Sequence, residues 1–253
     1  MLRRFPTLAA ALAALALAAP AAAQPAQPAP PVPLPGPEAS AGPASPLRDQ
    51  ALNARGVRLV VSLYDRQVWL MDGRIALYTA PVAVGKEVVM EYEGRVWDFT
   101  TPRGIRRVLG KERNPMWTAP DWHYVELAAM QGWKLVWLQG GERVPLAEGG
   151  YVTTRGGRVG RVAPDGTWHP VERGDEAVFG DTLFAPPPGS ANRTMPGILG
   201  AYKLDTGSGI YLHGTPELAS VGRPATHGCL RLLDGDLEYL YRHVSVGTPI
   251  YIY

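Results

Sequence analysis

A mainly β domain is the fold class this chain predicts, and three observations predict it. Short runs of β-branched and aromatic residues recur from Val57 onward, glycine-bearing pairs with hairpin chemistry separate them, and only two stretches show helix signals. The first run is Val57-Arg58-Leu59-Val60-Val61-Ser62-Leu63-Tyr64 and the second is Gln67-Val68-Trp69-Leu70-Met71. Asp72-Gly73 then supplies a tight turn into a third run, Ile75-Ala76-Leu77-Tyr78-Thr79. Thr101-Pro102-Arg103-Gly104 puts proline and glycine where a type I turn takes them. Val84-Gly85-Lys86 has the look of a phosphate loop but lacks the upstream glycine and the Ser or Thr after the lysine, so that reading is rejected.

The first helix is expected over 121–130, opened after Pro120 and stopped before Gly132. The second is expected near the C-terminus, with Asp234 as its cap and Leu237, Leu240, Tyr241 and Val244 at helical spacing. Pro249 then opens a final strand over 250–253, a position proline tolerates. Between these lies 111–185, with Trp117, Trp122, Trp133, Trp137 and Trp168 and hairpin signals at Gly156-Gly157 and Asp165-Gly166. Its tryptophans fit either a core of its own or a wall over a binding cleft, and the core reading comes first.

The N-terminus predicts export. Arg3 and Arg4 precede an apolar run over 8–19, and Ala21-Ala22-Ala23 offers a small-residue cleavage site, which is the anatomy of a secretory signal peptide over 1–23. The run is too short to span a bilayer, so the mature protein is expected to have no transmembrane segment and to reside in the periplasm or cell wall. Residues 24–49 are rich in Pro and Ala and predict an extended, disordered linker. Residues 50–253 remain as one domain with a real core. A formal net charge of +2 with scattered basic residues gives no footprint for nucleic acid.

Cys229 is the only cysteine in the chain, so no internal disulfide is possible. A lone thiol in an oxidising compartment asks for a reason. Its setting supplies one: Gly222-Arg223-Pro224-Ala225-Thr226-His227-Gly228-Cys229-Leu230-Arg231 follows Tyr211-Leu212-His213-Gly214-Thr215 at short range. A thiol flanked by glycine and within reach of imidazoles is what nucleophilic cysteine chemistry requires, because the thiolate is the attacking species and a neighbouring base must take its proton. Gly228 lets the backbone pass close to a substrate, and its amide together with that of Cys229 is a candidate oxyanion hole; an ordinary turn glycine is the competing reading. Zinc on His213, His227 and Cys229 is disfavoured, since two ligands would be almost adjacent and no Cys-x-x-Cys or His-x-x-x-His pair supports them. No cofactor is called for.

These two stretches resemble the signature of the L,D-transpeptidase (YkuD-like) catalytic domain: a His-Gly-Thr strand end, then Thr-His-Gly-Cys-Leu-Arg, then a closing Val-x-Val-Gly-Thr-Pro strand. The resemblance covers most of 57–110 and 186–253 and leaves 111–185 as an insertion. It implies a β-sandwich with a helix after the cysteine turn. It also implies Cys229 as nucleophile and His213 as the base that takes the thiol proton and then serves the leaving and incoming amines. His227 would shape the turn, Thr226 would bond locally, and Arg231 would fork onto a stem-peptide carboxylate or pair with a nearby acid. Tyr211 is a candidate substrate contact, and His243 a further neighbour. The implied partners are peptidoglycan stem peptides, with carbapenem-type inhibitors as a second class. The implied activity is 3–3 cross-linking; a carboxypeptidase or hydrolase using the same thioester, and a wall-binding module without turnover, are the alternatives.

Overall fold

The computed structural model describes residues 34–253. The signal-peptide reading of 1–23 and the start of the linker lie outside the described residues. From Leu34 onward the linker expectation fails. Ser45 accepts the Arg48 N–H at 3.1 Å, Pro46 opens the first turn, and α1 runs Pro46–Asn53. Its Ala51 packs with Leu47 against Val60, Trp69, Met71 and Tyr251. Buried Arg58 donates to the carbonyls of Ala51 and Gly73, each at 2.8 Å, locking the end of α1 to the turn after the second strand. The Trp69 indole N–H reaches the Pro35 carbonyl at 3.0 Å. Proline-rich composition predicted an extended chain, but the apolar outer face of the sheet needs cover, and this segment supplies it.

The strand expectations hold closely. β1 (Val57–Ser62), β2 (Gln67–Asp72) and β3 (Ile75–Pro81) form an antiparallel meander, with Gly73 at φ 54° in the predicted hairpin. β4 (Val84–Gly85), the hairpin of β5 (Val89–Tyr92) and β6 (Arg95–Asp98), β7 (Gly104–Arg107) and β8 (Gly110–Arg113) follow. Gly85 is compelled: a Cβ there would lie 2.3 Å from the Phe99 carbonyl oxygen, and its N–H donates to Thr101 Oγ1 at 2.8 Å. The rejected phosphate loop is therefore a strand pinned against the chain crossing beside it.

The Trp-rich excursion begins later and ends later than 111–185. β8 pairs with a strand of the second sheet, while β9 (Met116–Thr118) is joined by β17 (Thr194–Pro196). Between them lie α2 (Asp121–Gln131), β10 (Lys134–Trp137), β11 (Val144–Pro145), β12 (Tyr151–Arg155), β13 (Arg158–Val162), β14 (Trp168–Pro170), β15 (Val178–Phe179) and β16 (Thr182–Ala185). α2 ends as predicted on Gly132, left-handed at φ 68°. Both glycine hairpin signals are turns, between β12 and β13 and between β13 and β14. The segment builds two cores of its own. Tyr124, Ala128, Leu183 and Met195 gather Trp117, Trp133 and Trp137, whereas Leu138, Val152, Val159 and Phe184 form the other.

The chain returns through β18 (Tyr202–Asp205), β19 (Tyr211–His213), β20 (Pro224–Thr226) and β21 (Leu230–Arg231), then α3 (Asp234–His243) and β22 (Pro249–Ile252). β22 inserts parallel to β1 at the middle of a sheet ordered β3-β2-β1-β22-β7. The second sheet is ordered β21-β19-β18-β8. Leu59, Val61, Val68, Leu70 and Ile250 of the first meet Leu204, Leu212 and Leu230 of the second, with Leu237 and Leu240 of α3 in the same core. This is the β-sandwich expected. Asp234 differs from expectation: it is the first helical residue rather than the cap, and its carboxylate accepts the Ala201 N–H at 3.2 Å.

Candidate active site

The parallel pairing of β19 with β21 sets Leu212 opposite Leu230 and His213 opposite Arg231. Leu212 and Leu230 are fully buried in the sandwich core. Strand alternation therefore sends Tyr211, His213 and Arg231 to the other face, where Cys229, one residue before β21, joins them. All four line a cleft of about 470 Å³, together with Thr226, His227, Lys203, Ile198, Leu199 and the Trp117 and Trp122 side chains of the excursion. A larger hollow of about 620 Å³, lined by Tyr64, Arg66, Glu87 and Arg103, holds none of these groups, so chemistry rather than size selects the cleft.

His213 is 3% exposed, and its Nδ1 lies 2.7 Å from the Gly214 carbonyl oxygen. A carbonyl only accepts, so Nδ1 carries the hydrogen and Nε2 keeps its lone pair. Burial pulls the imidazole down to about 4; the Gly214 bond opposes that shift and the Arg231 charge adds to it. Burial also pushes the Cys229 thiol up, against a backbone bond from Tyr211 and the Arg231 charge. The thiol faces the Gly209 carbonyl at 3.6 Å. Both shifts favour the uncharged forms, a neutral imidazole and a neutral thiol.

Each residue of His213-Gly214-Thr215 has a physical reason. A Cβ on Gly214 would sit 1.7 Å from Asp234 Oδ1, so glycine there leaves that carboxylate its place against the Ala201 N–H. Thr215 Oγ1 accepts the Glu217 N–H at 2.9 Å and sets the turn that brings Glu217 to Arg231. Thr226 bonds locally as expected: its hydroxyl donates to the Cys229 carbonyl at 2.6 Å and accepts the Gly228 N–H at 3.2 Å. That contact corrects one expectation. The Gly228 amide already has a partner, so of the two oxyanion donors only the Cys229 amide stays a candidate. Gly228, at φ 115°, retains the conformational role.

Arg231 donates through Nη1 to Glu217 at 2.8 Å and Ser220 at 2.9 Å, which is the acid-pair alternative. It stays on the cleft wall all the same. His227 stacks on Trp122 with ring centres 3.7 Å apart, and its Nε2 lies 2.7 Å from Glu126 Oε2 and 3.0 Å from Lys86 Nζ. His243 is elsewhere, at the exposed end of α3, with its ring on Tyr239. Sequence reading missed Lys86, Glu126 and Lys203. The signals were there: Trp122 and Glu126 stand at i and i+4 on one helix face, and Lys203 pairs across from His213.

A lone thiol, an imidazole of fixed tautomer and a turn amide thus line one cleft on a β-sandwich. The family model for the L,D-transpeptidase catalytic domain, YkuD, matches residues 56–252, and the chain belongs to that family. A probable L,D-transpeptidase ErfK/SrfK of Salmonella typhimurium is 35% identical over 80 residues, 32% of this chain and 25% of that protein. A probable L,D-transpeptidase YbiS of Escherichia coli K12 is 30% identical over 95 residues, 37% and 30% of the two chains. The chain thus aligns with under a third of the length of either relative. A crystal structure of an L,D-transpeptidase from Xylanimonas cellulosilytica superposes over 79% of this chain and 61% of its own, at 14% identity and a TM-score of 0.41. Among the described residues no helix is long and apolar enough to cross a membrane.

Proposed function

We propose that this chain is an exported peptidoglycan L,D-transpeptidase with Cys229 as nucleophile and His213 as general base and acid. The observation that carries the reading is the joint placement of Cys229 and His213 on the outward face of the β19–β21 pair, with the His213 tautomer fixed by Gly214. Cys229 attacks the carbonyl of the third residue of a tetrapeptide stem. A C–S bond forms, His213 Nε2 takes the thiol proton and hands it to the departing nitrogen, and the terminal D-alanine leaves. In the second half-reaction an amine of another stem attacks the thioester, His213 takes its proton, and the thiol is restored as the 3–3 cross-link forms. The Cys229 amide is the donor aimed at the developing oxyanion. Residues 1–23 act as the export signal, and the mature enzyme works on the wall outside the cytoplasmic membrane.

The test is mass spectrometry of purified disaccharide-tetrapeptide after incubation with the enzyme. A cross-linked dimer supports transfer, a tripeptide alone means that water resolves the thioester, and unchanged substrate leaves a wall-binding module. Cys229→Ala should abolish product while keeping the melting temperature; product formation by that folded variant removes the nucleophile assignment. Strained acyl donors should trap the same atom. Incubation with a carbapenem should add a single adduct to the intact mass, mapping to Cys229. An active enzyme that takes no adduct would mean the cleft excludes such ligands.

A further inference from the structure

The imidazole two residues before the nucleophile is held from three sides. The face of Trp122 stacks on it at 3.7 Å and 15°, the edge of Phe99 meets it at 4.6 Å, and Glu126 and Lys86 converge on its Nε2. Lys86 also bonds Glu126, and its ammonium stands 4.8 Å from the centre of the Phe99 ring. Trp122 and Glu126 both come from α2, so the excursion reaches across to the cysteine turn. A carboxylate can only accept and an ammonium can only donate, so Nε2 bonds one of the two and not both. The 2.7 Å contact to Glu126 is the shorter, and the Lys86 ammonium 3.0 Å away is already engaged by Glu126, so hydrogen is assigned to Nε2. His227 is then the mirror of His213: one ring is held with hydrogen on Nε2 by Glu126, the other with hydrogen on Nδ1 by Gly214.

We propose that Glu126 is a positioning residue acting through His227: by fixing hydrogen on Nε2, it leaves Nδ1 as the acceptor for an N–H of the peptide bound beside Cys229. This rests on the transpeptidase reading and names the part the inserted helix plays in it. The charged groups facing His227 are Glu126 of α2, Lys86 after β4, and Arg231 of β21. Burial lowers its proton affinity, Glu126 raises it, and Lys86 and Arg231 lower it. Burial also pushes the Glu126 carboxyl up, but the Lys86 bond and the His227 contact outweigh that and hold it below the usual carboxylate range. The neutral ring is thus the form present near neutrality. Protonation of Nδ1 destroys the acceptor, so substrate grip is lost as pH falls through the His227 pKa.

The test compares the mature protein with Glu126→Gln and Lys86→Met. Long-range ¹H–¹⁵N spectra of labelled protein report the His227 tautomer, and tetrapeptide acylation is followed across pH with melting temperature recorded. The Nε2–H form is expected in the parent and in Lys86→Met, with the Nδ1–H form gaining population in Glu126→Gln, where the freed Lys86 ammonium and the new amide N–H can both donate to Nε2. That variant should lose up to about tenfold in kcat/KM, the upper range for one neutral hydrogen bond. Removing the carboxylate disfavours the imidazolium, so its acid limb moves to lower pH; removing the ammonium favours the imidazolium, so the Lys86→Met limb moves to higher pH. An unchanged tautomer in Glu126→Gln overturns the proposal. So do limbs that move the same way, or a lower melting temperature with tautomer and kinetics intact, which is what a purely structural clamp would give. Should the parent not turn over stem peptides, the transpeptidase reading fails, while the tautomer comparison still decides the role of Glu126.

Discussion

At the residue scale the site is governed by which atoms are already engaged. His213 is buried and neutral, and its folded-state pKa of about 4 lies below the ordinary 6.5. Above the ordinary value both folded and unfolded chains carry a neutral ring and the group costs nothing. As pH falls from 6.5 toward 4 the unfolded chain takes up a proton that the folded one refuses, so stability drops through that window. The shift corresponds to at most roughly 3 kcal/mol. Denaturant unfolding at pH 7 and pH 4.5 should show a stability loss in the parent that is visibly smaller in His213→Gln. Equal losses in the two would mean that His213 titrates normally and is not held neutral by burial. The shared cleft of Cys229 and His213 was legible because the thiol is alone and its neighbours are distinctive. The single-donor limit at Gly228 was not, since it depends on which way a threonine hydroxyl points three residues from the thiol.

At the element scale, most strands were readable because their side chains alternate or run apolar at lengths only a strand fits. α2 was readable to its last turn because Gly132 supplies a left-handed stop. α1 was hidden by its surroundings: proline and alanine on both sides read as linker, and only the unbroken burial of Val60 to Ser62 hints that both faces of β1 need cover. Arg58 is the lock on that cover. It is fully buried, donating to Ala51, Gly56 and Gly73 carbonyls. Arg58→Met keeps the aliphatic stem and leaves those carbonyls without their donor, which should cost about 2–4 kcal/mol. Hydrogen exchange should then show α1 amides losing protection ahead of β1. Undiminished protection of α1 would mean the helix is held by packing on Trp69 and Tyr251 alone.

At the scale of the whole molecule, the cleft is shared between two constructions. The sandwich supplies the thiol, His213 and Arg231, while the excursion supplies Trp117, Trp122 and, through α2, the partner of His227. Sequence reading located the tryptophans but could not divide them between core and wall, because both uses ask for the same side chain. The structure divides them. Trp133 packs with Tyr124, Ala128 and Leu183 inside the excursion, whereas Trp122 lies on the imidazole at the cleft. Trp133→Ala should therefore behave as a core truncation, costing about 3–5 kcal/mol with an unchanged ratio of activity on disaccharide-linked and free tetrapeptide. Trp122→Ala should keep most of the melting temperature, because its outer face borders the cleft, yet lose activity by freeing the His227 ring and removing an aromatic wall. If that wall grips the sugar, the loss will be larger on the glycan-linked stem than on the free peptide; if it only steadies His227, both substrates will fall together. A Trp122→Ala enzyme with full activity on both would show that the excursion stands beside the chemistry without taking part in it.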